Sequence, residues 1–384
     1  MKVSAQKLLF SALLALVVLA VASVQAEVRG VWITTAWNLD WPSKPGLPMA
    51  QQKAELVALL DAAKRLGLTD VYFQVRPEGD AFYRSSLEPW SRGLTGTQGK
   101  DPGYDPLEFC IAEAKKRGIR VHAWMNPYRA RSTGSGPLAT NHMARRYSAY
   151  AYKAGSNLWM DPGVPEVQEH LLRVVSDVAR RYDVAGIHFD DYFYPYPPAG
   201  KNFPDGKTYQ RYRAGGGQLS LADWRRDNVN RLVARASKAT KQARPGAVFT
   251  VSPFGIYTKN QPPTVKAGLD QLNDIYADPV LWMRQGWVDY LVPQLYWKNR
   301  SDQCFTELLK WWRSPQVNPR GVPIYPGIAV DRTQSHGWPA SEIVQQVGLS
   351  RTVGSGPSGH VFFRMKMLAA NTKGVSALLK KSGY

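Results

Sequence analysis

The sequence predicts an α/β fold of the TIM (β/α)8 barrel type. Three observations carry that expectation. Apolar runs of strand length alternate with helix-length segments eight times between Val28 and Lys381, with no break in composition. Several helical segments have chemically marked ends, at Gly67 and Gly118 where they stop and at Pro165 and Ser220 where they start. Polar and aromatic residues gather at the C-terminal ends of six successive strands, the end at which this architecture builds its sites.

Taken in order, Met1 to Ala26 reads as a secretory signal peptide. Lys2 and Lys7 precede an apolar run from Leu8 to Val24, and Val24-Gln25-Ala26 offers a cleavage site before Glu27. No cysteine follows that run, so no lipid or other stable membrane anchor is expected after cleavage. Residues 27–384 are expected to form one domain, secreted or periplasmic. The first strand is Val28 to Thr35; after a loop containing Trp37, Trp41 and Pro42 comes a helix, Gln51 to Leu66. Strand two, Asp70 to Pro77, precedes a helix from Asp105 to Arg117, and strand three, Arg120 to Pro127, is followed by a long loop and a helix from Pro165 to Tyr182. Strand four, Val184 to Asp190, leads through a Gly-rich loop to a helix from Leu221 to Ala243. Strand five, Ala247 to Pro253, precedes a helical stretch, Leu269 to Gln285, broken at Asp278-Pro279. Strand six is Val288 to Tyr296 with a helix from Asp302 to Arg313, and strand seven is Val322 to Val330 with a helix from Ser341 to Leu349. His360 to Met365 and Leu368 to Lys381 complete the eighth unit, the last two units being the least regular.

Composition narrows the function. The net charge is +19, two less without Lys2 and Lys7, and the basic residues are scattered over helix faces in pairs such as Arg145-Arg146 and Arg225-Arg226. An exported chain without a basic arm is not expected to bind nucleic acid; an anionic cell-wall polymer is the partner such a charge favours. The only cysteines, Cys110 and Cys304, fall in different helices and are expected to be unpaired. There is no Gly-x-Ser-x-Gly elbow, phosphate loop or dinucleotide fingerprint, and His188-x-Asp190 supplies only two metal ligands. Neither a metal nor a cofactor is expected.

The chemistry concentrates in VAGIHFDDYFYPYP, residues 184–197. Asp190 and Asp191 end strand four and open an aromatic loop that includes Tyr192 and Tyr194. Carboxylates there supply charge for an oxocarbenium-like transition state, and the rings offer flat apolar faces to sugars. Alternation puts His188 and Asp190 on one strand face and Asp191 on the other, so both reach one substrate only if the chain turns at the strand end. The neighbouring strands contribute Trp32; Gln74, Arg76, Glu78 and Asp80; His122, Trp124 and Asn126; and Gln294, Tyr296 and Trp297. Asp190 is the first-choice catalytic carboxylate, Asp191 its partner, and Asp80 or Glu78 the candidate acid on a second strand. Arg76 suits either a sugar carboxylate or an ion pair with Asp190. A 2-acetamido group on the substrate is an alternative nucleophile, with one Asp orienting it and the other protonating the leaving oxygen.

VRGVWITT, VYFQVRPEGDAFYRSSLEPWSRGLTG, DPLEFCIAEAKKRGIRVHAWMNPYRA, VAGIHFDDYFYPYP, DWRRDNVN, VSPFGIY and GWVDYLVPQLYW together resemble the glycosyl hydrolase-like 10 family, formerly a domain of unknown function. The resemblance runs roughly from Val28 to Val330. It implies a TIM-barrel glycoside hydrolase and, from a divisome-associated member acting on peptide-free peptidoglycan, a cell-wall glycan as substrate. Glu78 stands where that family's second-strand motif is expected to have a small residue, so Asp80 fits the pattern better. A lytic transglycosylase and a non-catalytic glycan-binding barrel are the rival readings.

Overall fold

A computed structural model describes residues 27–132, 136–196 and 203–384. The expected signal peptide lies outside these residues. Eight parallel strands curl into a barrel: β1 (Val28–Ile33), β2 (Asp70–Arg76), β3 (Arg120–Met125), β4 (Gly186–Phe189), β5 (Val248–Val251), β6 (Tyr290–Leu291), β7 (Gly327–Ala329) and β8 (Gly359–Phe363). They pair in the order β7-β8-β1-β2-β3-β4-β5-β6. The remaining gap is spanned by parallel bridges, Leu291 to Ile324 and Gln294 to Gly327. The principal helices follow their strands: α1 (Met49–Arg65), α2 (Pro106–Lys116), α3 (Pro165–Arg181), α4 (Leu221–Ala243), α5 (Pro279–Gln285), α6 (Phe305–Arg313), α7 (Ala340–Thr352) and α8 (Val375–Lys381). The TIM-barrel expectation holds.

Side-chain oxygens start several of these helices. Asp105 accepts from the amides of Leu107 and Glu108 at 3.0 and 3.1 Å, and Ser220 from that of Asp223 at 3.2 Å. Asp278 accepts from Leu281 N at 3.0 Å with Pro279 in the first turn, which is why the expected break falls there. The irregularity expected in the last two units extends back to the sixth. Pro293, Pro323 and Pro326 remove ladder donors, so β6 and β7 shrink to short pieces joined by single bridges. Strand β8, by contrast, is paired on both sides, and the helix after it breaks at a short 3-10 turn, Thr372–Gly374.

The long loop after β3 holds a feature absent from the sequence-based expectation. Arg129–Arg131, Ala151–Ala154 and Asn157–Met160 form a small antiparallel sheet, the last two joined by a two-residue Gly155-Ser156 turn. This sheet stands over the barrel mouth and ties itself to the loop after β4 through Trp159 Nε1, which donates to Phe193 O at 3.0 Å.

Apolar packing forms two bodies. One lies between the strands and the helices; the other fills the barrel and consists of Val28, Trp32, Tyr72, Trp124, Tyr290, Val292, Tyr325 and Val361. Room for inward rings comes from glycine. A Cβ on Gly186 would lie 2.5 Å from Val248 O and 3.0 Å from the His122 ring. Cys110 and Cys304 are free thiols, as expected. Among the described residues no helix is long and apolar enough to cross a membrane.

Candidate active site

A cleft of about 380 Å³ opens at the C-terminal ends of the strands. Asp190 and Asp191 lie in its wall together with Trp32, Gln74, Trp124, Tyr192, Gln294, Tyr296 and Trp297. Strand β4 ends at Phe189, so the chain turns immediately before the pair. That turn brings Asp191, which strict alternation would aim outward, onto the same cleft as Asp190.

The surroundings of the two carboxyls differ. Trp124 Nε1 donates to Asp190 Oδ2 at 3.0 Å and Asn126 Nδ2 donates to the same oxygen at 3.3 Å. The Tyr192 amide lies 3.4 Å from Oδ1. Burial, and then the charge of Asp191, push the Asp190 carboxyl up to about 7, against the lowering influence of Arg129 and these donors. Burial also raises Asp191, opposed by hydrogen bonds from the Tyr196 hydroxyl and the Gln294 amide. One carboxyl is thus set to exchange a proton near neutrality beside a second that has its own donors.

Below the pair, His188 is fully buried. Its Nε2 accepts from Trp32 Nε1 at 3.2 Å, so the ring proton sits on Nδ1 and is donated to Thr250 Oγ1 at 2.7 Å. Burial drives its pKa well below the usual value, so the ring is a neutral support for the cleft floor. Gln74 has a comparable double position. It lines the cleft, yet its Oε1 accepts the amides of Thr35 and Ala36 at 3.0 and 2.8 Å and so holds the loop after β1. That loop carries Trp37, which is 59% exposed at the rim. Trp37 and Asn38 both have positive φ, 51° and 53°, a conformation costly for residues other than glycine. Asn38 Nδ2 fixes it by donating to Pro42 O and Gly93 O.

Several expected site residues lie elsewhere. Arg76 is buried and makes a paired hydrogen bond with Glu88, with 2.8 Å between Nε and Oε2; it also donates to the carbonyls of Asn126 and Pro127. It is a strut between β2 and the loops, bonded neither to sugar space nor to Asp190. Asp80 is also buried and absent from the cleft wall; it accepts from Gln98 at 3.2 Å, and burial and the charge of Glu78 push it up to about 7. Glu78 hydrogen-bonds Ser132 and likewise does not line the cleft. The φ of +68° at Gly79 turns this segment away from the strand direction. His122 shares the inward face of β3 with Trp124 and Asn126 as expected, but points to the opposite end of the barrel, 2.8 Å from Asp70. Each step of two residues along a strand is roughly 6.6 Å, so one face spans both ends. Tyr194 is buried against Tyr276, Phe203 and Arg225. Asn126 is buried too, and acts on the site through Asp190 rather than by lining it.

The cleft adds residues that the expectation lacked: Arg129, Phe254, Asp331, Arg332 and Phe363, with Tyr196 from the aromatic loop. Asp331-Arg332 follows β7 after Val330, a carboxylate near a strand end of the kind sought elsewhere. Among the described residues no three His, Cys, Asp or Glu side chains are grouped to hold a metal ion.

Residues 27–338 match the glycosyl hydrolase-like 10 family. The chain is 39% identical over 374 residues to glycosyl hydrolase YngK of Bacillus subtilis (strain 168), covering 94% of this chain and 73% of that protein. It is 39% identical over 323 residues to glycosyl hydrolase DigH of Escherichia coli (strain K12), covering 79% and 73%. Among solved structures, the PgaB (BpsB) glycoside hydrolase domain from Bordetella bronchiseptica matches with a TM-score of 0.59 at 15% identity, over 92% of this chain and 98% of that one. The endo-1,4-beta-mannanase from Rhizomucor miehei matches with a TM-score of 0.57 at 10% identity, over 92% and 95%. These two likenesses concern the fold alone. The family match over most of the chain, and relatives at this identity over nearly three quarters of their own length, establish that the chain belongs to the glycosyl hydrolase-like 10 family.

Proposed function

We propose that the protein is an exported glycoside hydrolase that cleaves peptide-poor strands of cell-wall glycan. The observation that carries this reading is the adjacent pair Asp190 and Asp191 in a ring-lined cleft at the strand ends, with Asp190 pushed up to about 7. Export rests on the basic-then-apolar run before Glu27, and the polymer rests on the positive net charge and the family resemblance.

In the mechanism that this arrangement favours, protonated Asp190 gives its proton to the glycosidic oxygen as that bond breaks. The carbonyl oxygen of a substrate 2-acetamido group attacks the anomeric carbon, and the Asp191 carboxylate holds the acetamido N–H and stabilises the positive charge that develops. Asp190, now ionised, takes a proton from the water that opens the cyclic intermediate, giving a hydrolysed sugar and a protonated acid. Trp124 and Asn126 aim Asp190, and Tyr196 and Gln294 aim Asp191. Trp32, Tyr192, Tyr296 and Trp297 supply the surfaces for sugar rings.

Digestion of peptide-stripped and intact peptidoglycan by the wild type and by Asp190→Asn, with products identified by mass, tests the reading. It predicts water-added fragments from stripped strands with the wild type and none with the variant. Anhydro-sugar products would make it a lytic transglycosylase. Sugar binding without cleavage by the wild type would make it a binding barrel.

A further inference from the structure

We infer that Arg129 reads a free carboxylate on the glycan, so that the cleft selects muramic sugars whose lactyl group carries no peptide. This rests on the cell-wall reading above and names the feature of the polymer that is recognised.

The cations around the mouth are not equivalent. Arg76 is paired with Glu88, Arg364 with Asp40, and the Arg332 guanidinium lies against His336. Arg129 is buried and lines the cleft, yet it makes no ion pair among the described residues. Its Nε and Nη2 donate to Pro77 O at 3.3 and 3.2 Å, leaving Nη1 without an acceptor among those residues. Its charge is sandwiched between two rings instead, 5.1 Å from the centroid of Trp37 and 5.1 Å from that of Tyr192. Ring faces hold a guanidinium while removing its water, and although its charge is felt by Asp190 and Asp191 it pairs with neither. A cation so placed gains more from an incoming carboxylate than one in solvent, and its planar donors fit carboxylate geometry.

The position is also fixed relative to the reacting bond. Asn126 Oδ1 accepts the Arg129 amide at 2.9 Å while Asn126 Nδ2 donates to Asp190. One side chain therefore ties the proton donor to the backbone that carries Arg129, while Pro77 O and the two rings hold the guanidinium itself. Trp37 holds its costly backbone conformation on the other side of that cation. In peptidoglycan the lactyl carboxylate is anionic only where the stem peptide is gone; an amide-linked peptide removes the charge and adds bulk. The preference for peptide-poor strands thereby has a single chemical cause.

The test compares one peptide-stripped glycan in two forms, with lactyl carboxylates free and with the same groups converted to methyl amides, using the wild type, Arg129→Gln and Arg129→Lys. The wild type should cleave the free-acid form with a kcat/KM at least about tenfold higher, the worth of one charge-assisted hydrogen bond. Arg129→Gln should bring the ratio of the two substrates close to one, mainly through KM on the free acid, and Arg129→Lys should restore part of it. Equal cleavage of both forms by the wild type overturns the inference while leaving the hydrolase reading intact, as does discrimination that survives Arg129→Gln. Cleavage of neither form by the wild type sinks both. The wild-type ratio decides even where a variant does not fold.

Discussion

The two ends of the barrel each bury an aspartate among aromatic rings, and the two carboxyls are driven in opposite directions. At the strand N-termini, burial works against the charge of Asp70, but His122 at 2.8 Å and Arg120 at 2.9 Å outweigh it and hold the carboxyl well below the usual range. At the mouth, Asp190 has neutral donors, a like-charged neighbour and the charge of an Arg129 that makes no ion pair with it, and it rises to about 7. Arginine shows the same contrast. Arg76, sealed against Glu88, braces the fold, whereas Arg129, held by rings, keeps its charge available. Size does not separate the ends, since the depression at the Asp70 end is the larger, about 860 Å³ against about 380 Å³. What separates them is whether each buried charge already has its counter-charge.

The largest effect should come from removing the proposed proton donor. Asp190→Asn is expected to lower turnover of peptide-stripped glycan on the order of 10³-fold with the fold unchanged by circular dichroism. Asp70→Asn should do the reverse, keeping kcat near wild type while lowering unfolding stability by about 3 kcal/mol in denaturant melts, because it leaves His122 and Arg120 facing an uncharged partner. If Asp70→Asn abolished turnover without loss of stability, the division of labour between the ends would be broken.

A smaller effect separates the two in pH. Asp190, with a folded pKa of about 7 against roughly 4 when unfolded, stabilises fully below pH ~4 and loses that contribution as pH rises through 7. Asp70 has the opposite sign, its contribution being complete above pH ~4 and lost as pH falls through its lowered native value. Asp190→Asn should therefore be more stable than wild type above pH 7, by on the order of 1–3 kcal/mol in urea unfolding, with no gain at pH 4. Equal stability of the two proteins at both pH values would mean that Asp190 titrates normally. The smallest effect belongs to the rim: Trp37→Ala should raise KM for glycan by about threefold to tenfold through lost stacking and leave kcat almost unchanged.

Much of the fold was legible because each barrel unit writes its own punctuation. The start of α4 at Leu221 follows from the Ser220 cap, and the break before α5 follows from Asp278-Pro279. The small sheet over the mouth was not legible, since its strands are three or four residues long and only single residues such as Ala130, Trp159 and Met160 reach the main core, too few to write a strand period. With it went Arg129, whose place in the cleft depends on rings from two other loops. Strand-end position sufficed to place Asp190, Asp191, Trp124 and Gln294 at the cleft. Strand alternation misled for His122, because it fixes the face of a side chain and not its height in the barrel. For Arg76 and Asp80 the deciding partners, Glu88 and Gln98, are 12 and 18 residues away along the chain, in turns that no periodicity reveals.

One titration addresses the contrast directly. Carbon-13 carboxyl signals of Asp190 and Asp70 in the folded protein, assigned by Asp190→Asn and Asp70→Asn and followed from pH 3 to 9, should show Asp190 taking up its proton near pH 7. Asp70 should remain ionised across the whole range. Both carboxyls titrating together near pH 4 would contradict the account.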